Sequence, residues 1–210
     1  MRSLDYLRLE AGTRELAAGD PHLAAVVARL GTPPMFARRP GFSTLVKIIL
    51  EQQVSLAAAR TMYLRLETQL GAVSPMTIAA TGIDGMRSFG LTRQKSAYCH
   101  GIAARILDGR LDLAAIARAE EPAARAMLLE VPGIGPWTID IYFLMALRRP
   151  DVWPQGDLGL ASAMQEIKQM PRLPSRDEQR AIAAGWAPWR SIAARILWTH
   201  YLARESRRWL

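Results

Sequence analysis

The chain has 210 residues, half of them apolar, which suits one large domain or two small lobes sharing an interface and excludes global disorder. Its 27 basic residues outnumber 19 acidic ones, for a formal net charge of +8. That surplus favours a polyanionic partner, nucleic acid before an anionic membrane, although coding bias alone produces similar surpluses. The single cysteine, Cys99, excludes an internal disulfide framework and any four-cysteine zinc or iron–sulfur centre.

No apolar run approaches the ~20 residues of a membrane span, and MRSLDYLRLEAGTRE lacks the apolar core of a secretory signal. A soluble intracellular protein with no membrane role is expected. In chain order, Asp20-Pro21 supplies an N-cap and a proline at the first helical position, and HLAAVVARL runs from there to Gly31. Thr32 to Pro40 reads as a loop. FSTLVKIIL (42–50) is a mostly apolar helix, expected to be buried on several sides. Ser55 caps LAAARTMYLRLETQL, which Gly71 stops, and Ser74-Pro75 starts a short helix. Thr92 opens RQKSAYCHGIAARIL, whose Ala97, Ile102, Ile106 and Leu107 are expected near one face.

Glu121-Pro122 begins PAARAMLLEV, and TIDIYFLMALRR continues as a helix after the glycine-rich turn that follows. Pro150 to Gly156 is a loop, and Asp157 precedes LGLASAMQEIK. Ser175 caps RDEQRAIAA, and Pro188 opens the last helix. No alternating strand pattern bounded by hairpin turns and no internal repeat occurs. The expected fold is all-α, about ten helices in a single domain of two lobes: residues 42–155, and the two terminal segments together.

The stretch VPGIGP (131–136) asks for more than packing. Two helices joined by a short glycine-bearing turn form a compact hairpin. Gly133 and Gly135 allow positive φ and close approach to a ligand, and Pro136 suits the first position of the next helix. Outward-facing amides of Ile134, Gly135 and the following turn would bind an anion, phosphate above all in a basic protein. A tight turn without a ligand is the alternative, and Ile134 at the tip would anchor the turn in either case.

LEVPGIGPWT resembles the helix-hairpin-helix signature of the HhH-GPD DNA glycosylase superfamily, and WPQGDLGL (153–160) fits the loop and aspartate that follow the hairpin helix there. GFSTLVKIILEQQVSLAAA (41–59) and WAPWRSIAARILW (186–198) are similar to the AlkA-like branch, DNA-3-methyladenine glycosylase II. The likeness spans residues 20–205. It implies a helical glycosylase fold with a DNA-facing cleft, and base excision repair of alkylated bases in double-stranded DNA. The β-rich domain that precedes the helical core in that branch has no counterpart in these 210 residues, so the helical lobes are expected to grip DNA alone. Two alternatives stay open: a non-catalytic helix-hairpin-helix protein that binds damaged or distorted duplex, and a glycosylase for deaminated bases.

The resemblance assigns catalysis to Asp157, which locally also reads as an ordinary N-cap. Breaking an N-glycosidic bond leaves an oxocarbenium-like sugar, and a fixed anion stabilises that charge where it develops. A base alkylated on a ring nitrogen is already cationic and leaves as a neutral molecule, so a general acid matters less. Bifunctional members carry a lysine just after the hairpin; Trp137 stands here, and an indole forms no Schiff base. The three lysines (Lys47, Lys95, Lys168) lie outside both the hairpin and the WPQGDLGL loop. The expectation is a monofunctional hydrolase without lyase activity.

A buried base must rotate out of the stack before it can react. By resemblance Gln53 wedges into the gap in place of the family's leucine, able to hydrogen-bond the orphaned base, while Gln52 contacts DNA or supports its loop. An exposed helix end is the plain reading of both glutamines. Trp137 and Trp198 are the expected base-pocket walls. Ile141 stands where the family has a pocket tyrosine and by resemblance is the third pocket residue, with Tyr142 one residue out of register. Phe42, Tyr63, Tyr98, Trp186 and Trp189 read as core or interface residues, the last two bracing the final helix. His22, His100 and His200 lack metal-ligand spacing. No cofactor is required, but the carbonyls of Leu129, Val131 and Gly133 would ligate Na+ or K+ at the hairpin. A monomer is expected.

Overall fold

Caps written into the sequence set most helix boundaries in the computed structural model, which describes residues 3–208. Twelve α-helices and no strands occur among the described residues, so the all-α expectation holds. Two helices add to the expected ten. The first is α1 (Tyr6–Gly19), whose N-cap Asp5 accepts the Arg8 amide. Its buried face is Leu9, Gly12, Thr13 and Leu16; a glycine and a threonine stand where leucines would have shown the helical period. The second is a six-residue helix, α7 (Leu113–Arg118), capped by Asp112.

The helices group into two compact units, Arg38–Tyr142 and Met1–Ala37 with Phe143–Leu210. The first holds α3 (Phe42–Glu51), α4 (Leu56–Leu70), α5 (Pro75–Ser88), α6 (Arg93–Leu107), α7, α8 (Glu121–Leu129) and most of α9 (Pro136–Met145). α3 is its buried axis, with Leu45, Val46, Ile48, Ile49 and Leu50 excluded from solvent. α5 is two short helices joined at Gly82, whose φ of 68° breaks the helical path. The expected inner face of α6 is half right: Ile102 is buried and Ile106 partly so, but Ala97 and Leu107 are exposed, and Lys95, Ser96, Cys99 and Ala103 are buried in their place. The burial of an ammonium and a hydroxyl hid that face from an apolar pattern.

The other unit holds α1, α2 (Pro21–Leu30), α10 (Leu158–Ile167), α11 (Arg176–Ala184) and α12 (Arg190–Arg208). Residues 143–157 belong here, so the loop before Asp157 falls in the unit built from the chain's two ends. Arg195 ties that unit together. Its guanidinium is fully buried and donates to the carbonyls of Met35, Leu144 and Ser191 at 2.7–2.8 Å. Trp186 and Trp189 send their indole N–H groups to Asp20 and Glu15 at 2.9 and 2.7 Å, bracing the entry of α12. No helix among the described residues is long and apolar enough to cross a membrane.

Candidate functional site

Within the first unit, α8 and α9 are clamped by Arg125, which pairs with Asp140 at 2.8 Å and with Glu121 at 3.1 Å. Burial opposes the charge on Arg125, but the two carboxylates outweigh it and raise its pKa. The clamp fixes the span of the turn 130–135. Pro136 starts α9, and Ile134 is buried as the anchor of the turn. Gly133 takes φ +90°, while Gly135 is not among the positive-φ residues. A Cβ at Gly133 would collide with the ring of Tyr98, so this glycine is required by packing as well as by conformation.

The expected amide cradle needs a correction. The Ile134 N–H donates to Val131 O at 3.0 Å and closes the turn instead of facing a ligand. That leaves Gly133 and Gly135 as the residues of the turn whose amides stay candidates for an anion. They border a concavity of about 420 Å³ that is also lined by Gln52, Gln53, Lys95 and Tyr98.

Gln52 supports the loop. Its side-chain amide donates to Gly133 O and Thr138 Oγ1, both at 2.9 Å. Glu51 is held by a bidentate Arg38 contact at 2.7 and 3.0 Å, and Lys95 Nζ donates to Leu50 O at 2.6 Å. Three consecutive residues are thus tied down, and the next one, Gln53, is exposed with φ +57°. Such backbone strain in a non-glycine residue persists only where its surroundings dictate it. Lys95, Gln94 and Tyr98 were not expected here: they come from α6, and nothing local in the sequence links that helix to the hairpin.

Trp137 is half-buried in the first turn of α9, whereas Ile141 is only 2% exposed. Ile141 is therefore a core residue and offers no open wall to a base. Tyr142 is also buried, and its hydroxyl accepts the Gly41 N–H at 3.0 Å.

Asp157 lies in the other unit, as N-cap of α10. The loop leading to it is fixed by Ser191, whose Oγ accepts the Val152 N–H at 2.9 Å and donates to Arg149 O at 2.7 Å. The Arg190–Asp151 pair adds a second tie. One carboxylate oxygen of Asp157, Oδ1, accepts the Leu160 N–H at 2.9 Å and the Trp198 indole N–H at 3.2 Å. Gly159 makes room: a Cβ there would lie 3.2 Å from that oxygen and 3.6 Å from the Tyr201 ring. Trp198 meets Phe36 edge-on, with ring centroids 6.3 Å apart. Phe36 has φ +49° and was not foreseen as part of the site.

No cluster of His, Cys, Asp or Glu able to hold a metal occurs among the described residues. His200 instead accepts Arg29 Nη2 on Nδ1 at 2.6 Å. The buried Cys99 thiol is pushed up to about 12, first by desolvation, which leaves it inert as a nucleophile.

A helical fold, a glycine-bearing hairpin and an aspartate capping the next helix after it define a class. The chain belongs to the HhH-GPD superfamily of base excision DNA repair proteins, whose family model matches residues 46–188. It is 26% identical over 184 residues to the Bacillus subtilis protein YfjP, covering 84% of this chain and 64% of that one. A second Bacillus subtilis relative, a DNA-3-methyladenine glycosylase, is 33% identical over 108 residues, which is 51% of this chain and 36% of the relative. The chain thus spans less than two thirds of either. Among solved structures, the Schizosaccharomyces pombe 3-methyladenine DNA glycosylase Mag1, in complex with abasic DNA, superposes with a TM-score of 0.83 at 22% identity, over 90% of this chain and 95% of Mag1.

Proposed function

We propose that the protein is a monofunctional DNA glycosylase that flips alkylated bases of the 3-methyladenine type out of duplex DNA and hydrolyses their N-glycosidic bond. The observation that carries this reading is Asp157: a carboxylate set by two N–H donors at a helix N-terminus, in the loop where the superfamily has its aspartate. It would face the developing oxocarbenium ion and orient the attacking water. The names of the relatives support alkylated purines as the substrate class. Trp137 in place of a lysine supports hydrolysis without strand cleavage. Trp137 is the candidate aromatic surface for a cationic base, and Gln53 the residue that enters the stack.

The amides of Gly133 and Gly135 would take a DNA phosphate. A Na+ or K+ ion at the carbonyls of Leu129, Val131 and Gly133 is compatible with the hairpin. Val131 O and Gly133 O each accept one hydrogen bond, from Ile134 and Gln52, and a carbonyl oxygen has a second lone pair. Such an ion would link backbone to phosphate and take no part in bond cleavage. We read the enzyme as a monomer acting on intracellular DNA.

The test is release of free 3-methyladenine from methylated duplex. Wild type should release it, and Asp157→Asn should lose nearly all release, about 10²- to 10³-fold, while still binding abasic-site duplex. Equal release by both proteins would remove Asp157 from the mechanism. Binding without release by wild type would favour a non-catalytic duplex-binding protein. Strand cleavage without added base or lyase would contradict the monofunctional reading.

A further inference from the structure

We infer that Trp198 is a positioning residue for Asp157, acting through its indole N–H rather than as a stacking surface for the base. The inference rests on the glycosylase reading and assigns this tryptophan a role different from the aromatic wall that resemblance suggests. Three observations carry it.

The indole nitrogen lies 3.2 Å from Asp157 Oδ1, the oxygen that also accepts the Leu160 amide. Two donors on one oxygen restrain both torsions of a short side chain. The second observation is the edge-on contact that Phe36 makes with the indole. Phe36 stands at 89° to its ring and keeps a left-handed backbone, φ +49°, that a non-glycine residue adopts only when held there. That contact packs against the ring in the orientation that aims its N–H at the carboxylate. Third, Gly159 keeps the space around Oδ1 open, since a Cβ there would sit 3.2 Å from it. The Trp198 N–H and the absent side chain at residue 159 meet at one oxygen atom, and the Phe36 ring packs edge-on against the indole that donates to it.

A stacking residue and a tethering residue respond differently to the same substitution. Trp198→Phe retains an aromatic face and removes the N–H. If the ring served only to stack, affinity for the lesion duplex would fall modestly and the rate at saturation would persist. For a tether, single-turnover release of 3-methyladenine at saturating enzyme should fall about 10- to 100-fold, the range for a hydrogen bond to a charged group, with affinity for abasic-site duplex unchanged within about twofold. Gly159→Ala provides a second approach to the same oxygen: its methyl group should likewise lower the rate without weakening binding, and it leaves the indole intact should Trp198→Phe fold poorly. Wild-type rates in both variants, or a loss confined to affinity, would overturn the positioning role and leave the glycosylase reading standing. Absence of release by wild type itself would overturn both.

Discussion

Gly133 shows how one position can be read correctly in outline and incompletely in cause. The motif VPGIGP calls for a glycine that tolerates positive φ, and φ is +90°. The nearer constraint is the Tyr98 ring beneath it, contributed by a helix 35 residues earlier in the chain. Gly133→Asp should therefore weaken binding to duplexes of any sequence, with a shallower dependence of affinity on salt as a phosphate contact is lost; unchanged affinity would mean the hairpin holds no phosphate. Gln52 and Gln53 divide the roles that their sequence left open. The first is a strut between the α3 terminus and the hairpin, and the second is exposed in a strained conformation. Ile141 was misjudged for the reason that defeats most single-residue pocket assignments: its register on α9 is known from sequence, but the direction of that face is not.

At the scale of elements, the caps were the most legible feature, because an Asp or Ser before an apolar period satisfies orphan amides wherever the helix packs. Asp20 illustrates the part that packing adds. Its Oδ1 caps α2 through His22 and Leu23, as Asp20-Pro21 implied, while Oδ2 accepts Lys168 Nζ at 3.0 Å and the Trp186 indole at 2.9 Å. Burial alone would raise its pKa, but the Trp186 and Lys168 contacts outweigh it, so the folded-state value is lowered. The sign follows. A carboxyl group with a depressed folded pKa stabilises the protein above its unfolded pKa, and that contribution disappears as the pH falls through the folded value. Asp20→Asn should lower stability at neutral pH by about 1–3 kcal/mol. Its deficit against wild type should shrink as chemical denaturation is repeated below the ordinary carboxylate range. A deficit independent of pH would assign the effect to geometry rather than charge.

Across the whole molecule, the chain's ends and middle form separate compact units, and Arg195 shows what consolidates the one built from the ends. A guanidinium with no exposed surface joins the segment before residue 37, the end of α9 and its own helix through three carbonyls. Burial pushes its pKa down to about 9, a sign that three neutral oxygens compensate only part of the lost hydration. Arg195→Met retains most of the volume but removes the side-chain donor from all three oxygens. It should destabilise the protein by about 3–5 kcal/mol in denaturant titrations, and a loss below about 1 kcal/mol would show that water or relaxation replaces the donors.

The sequence by itself determined the helical class, nearly every cap, the hairpin turn and the position of the candidate catalytic carboxylate. These are properties of contiguous residues: local hydrogen-bond needs and the backbone freedom of glycine and proline depend little on distant packing. Only the tertiary structure decided that Lys95 and Tyr98 underlie the hairpin, that Phe36 and Trp198 align Asp157, and that α6 buries an ammonium on its inner face. Each of those juxtapositions joins residues far apart in the chain. Side-chain direction across such distances is set by how whole helices pack, and a one-dimensional pattern does not encode it residue by residue.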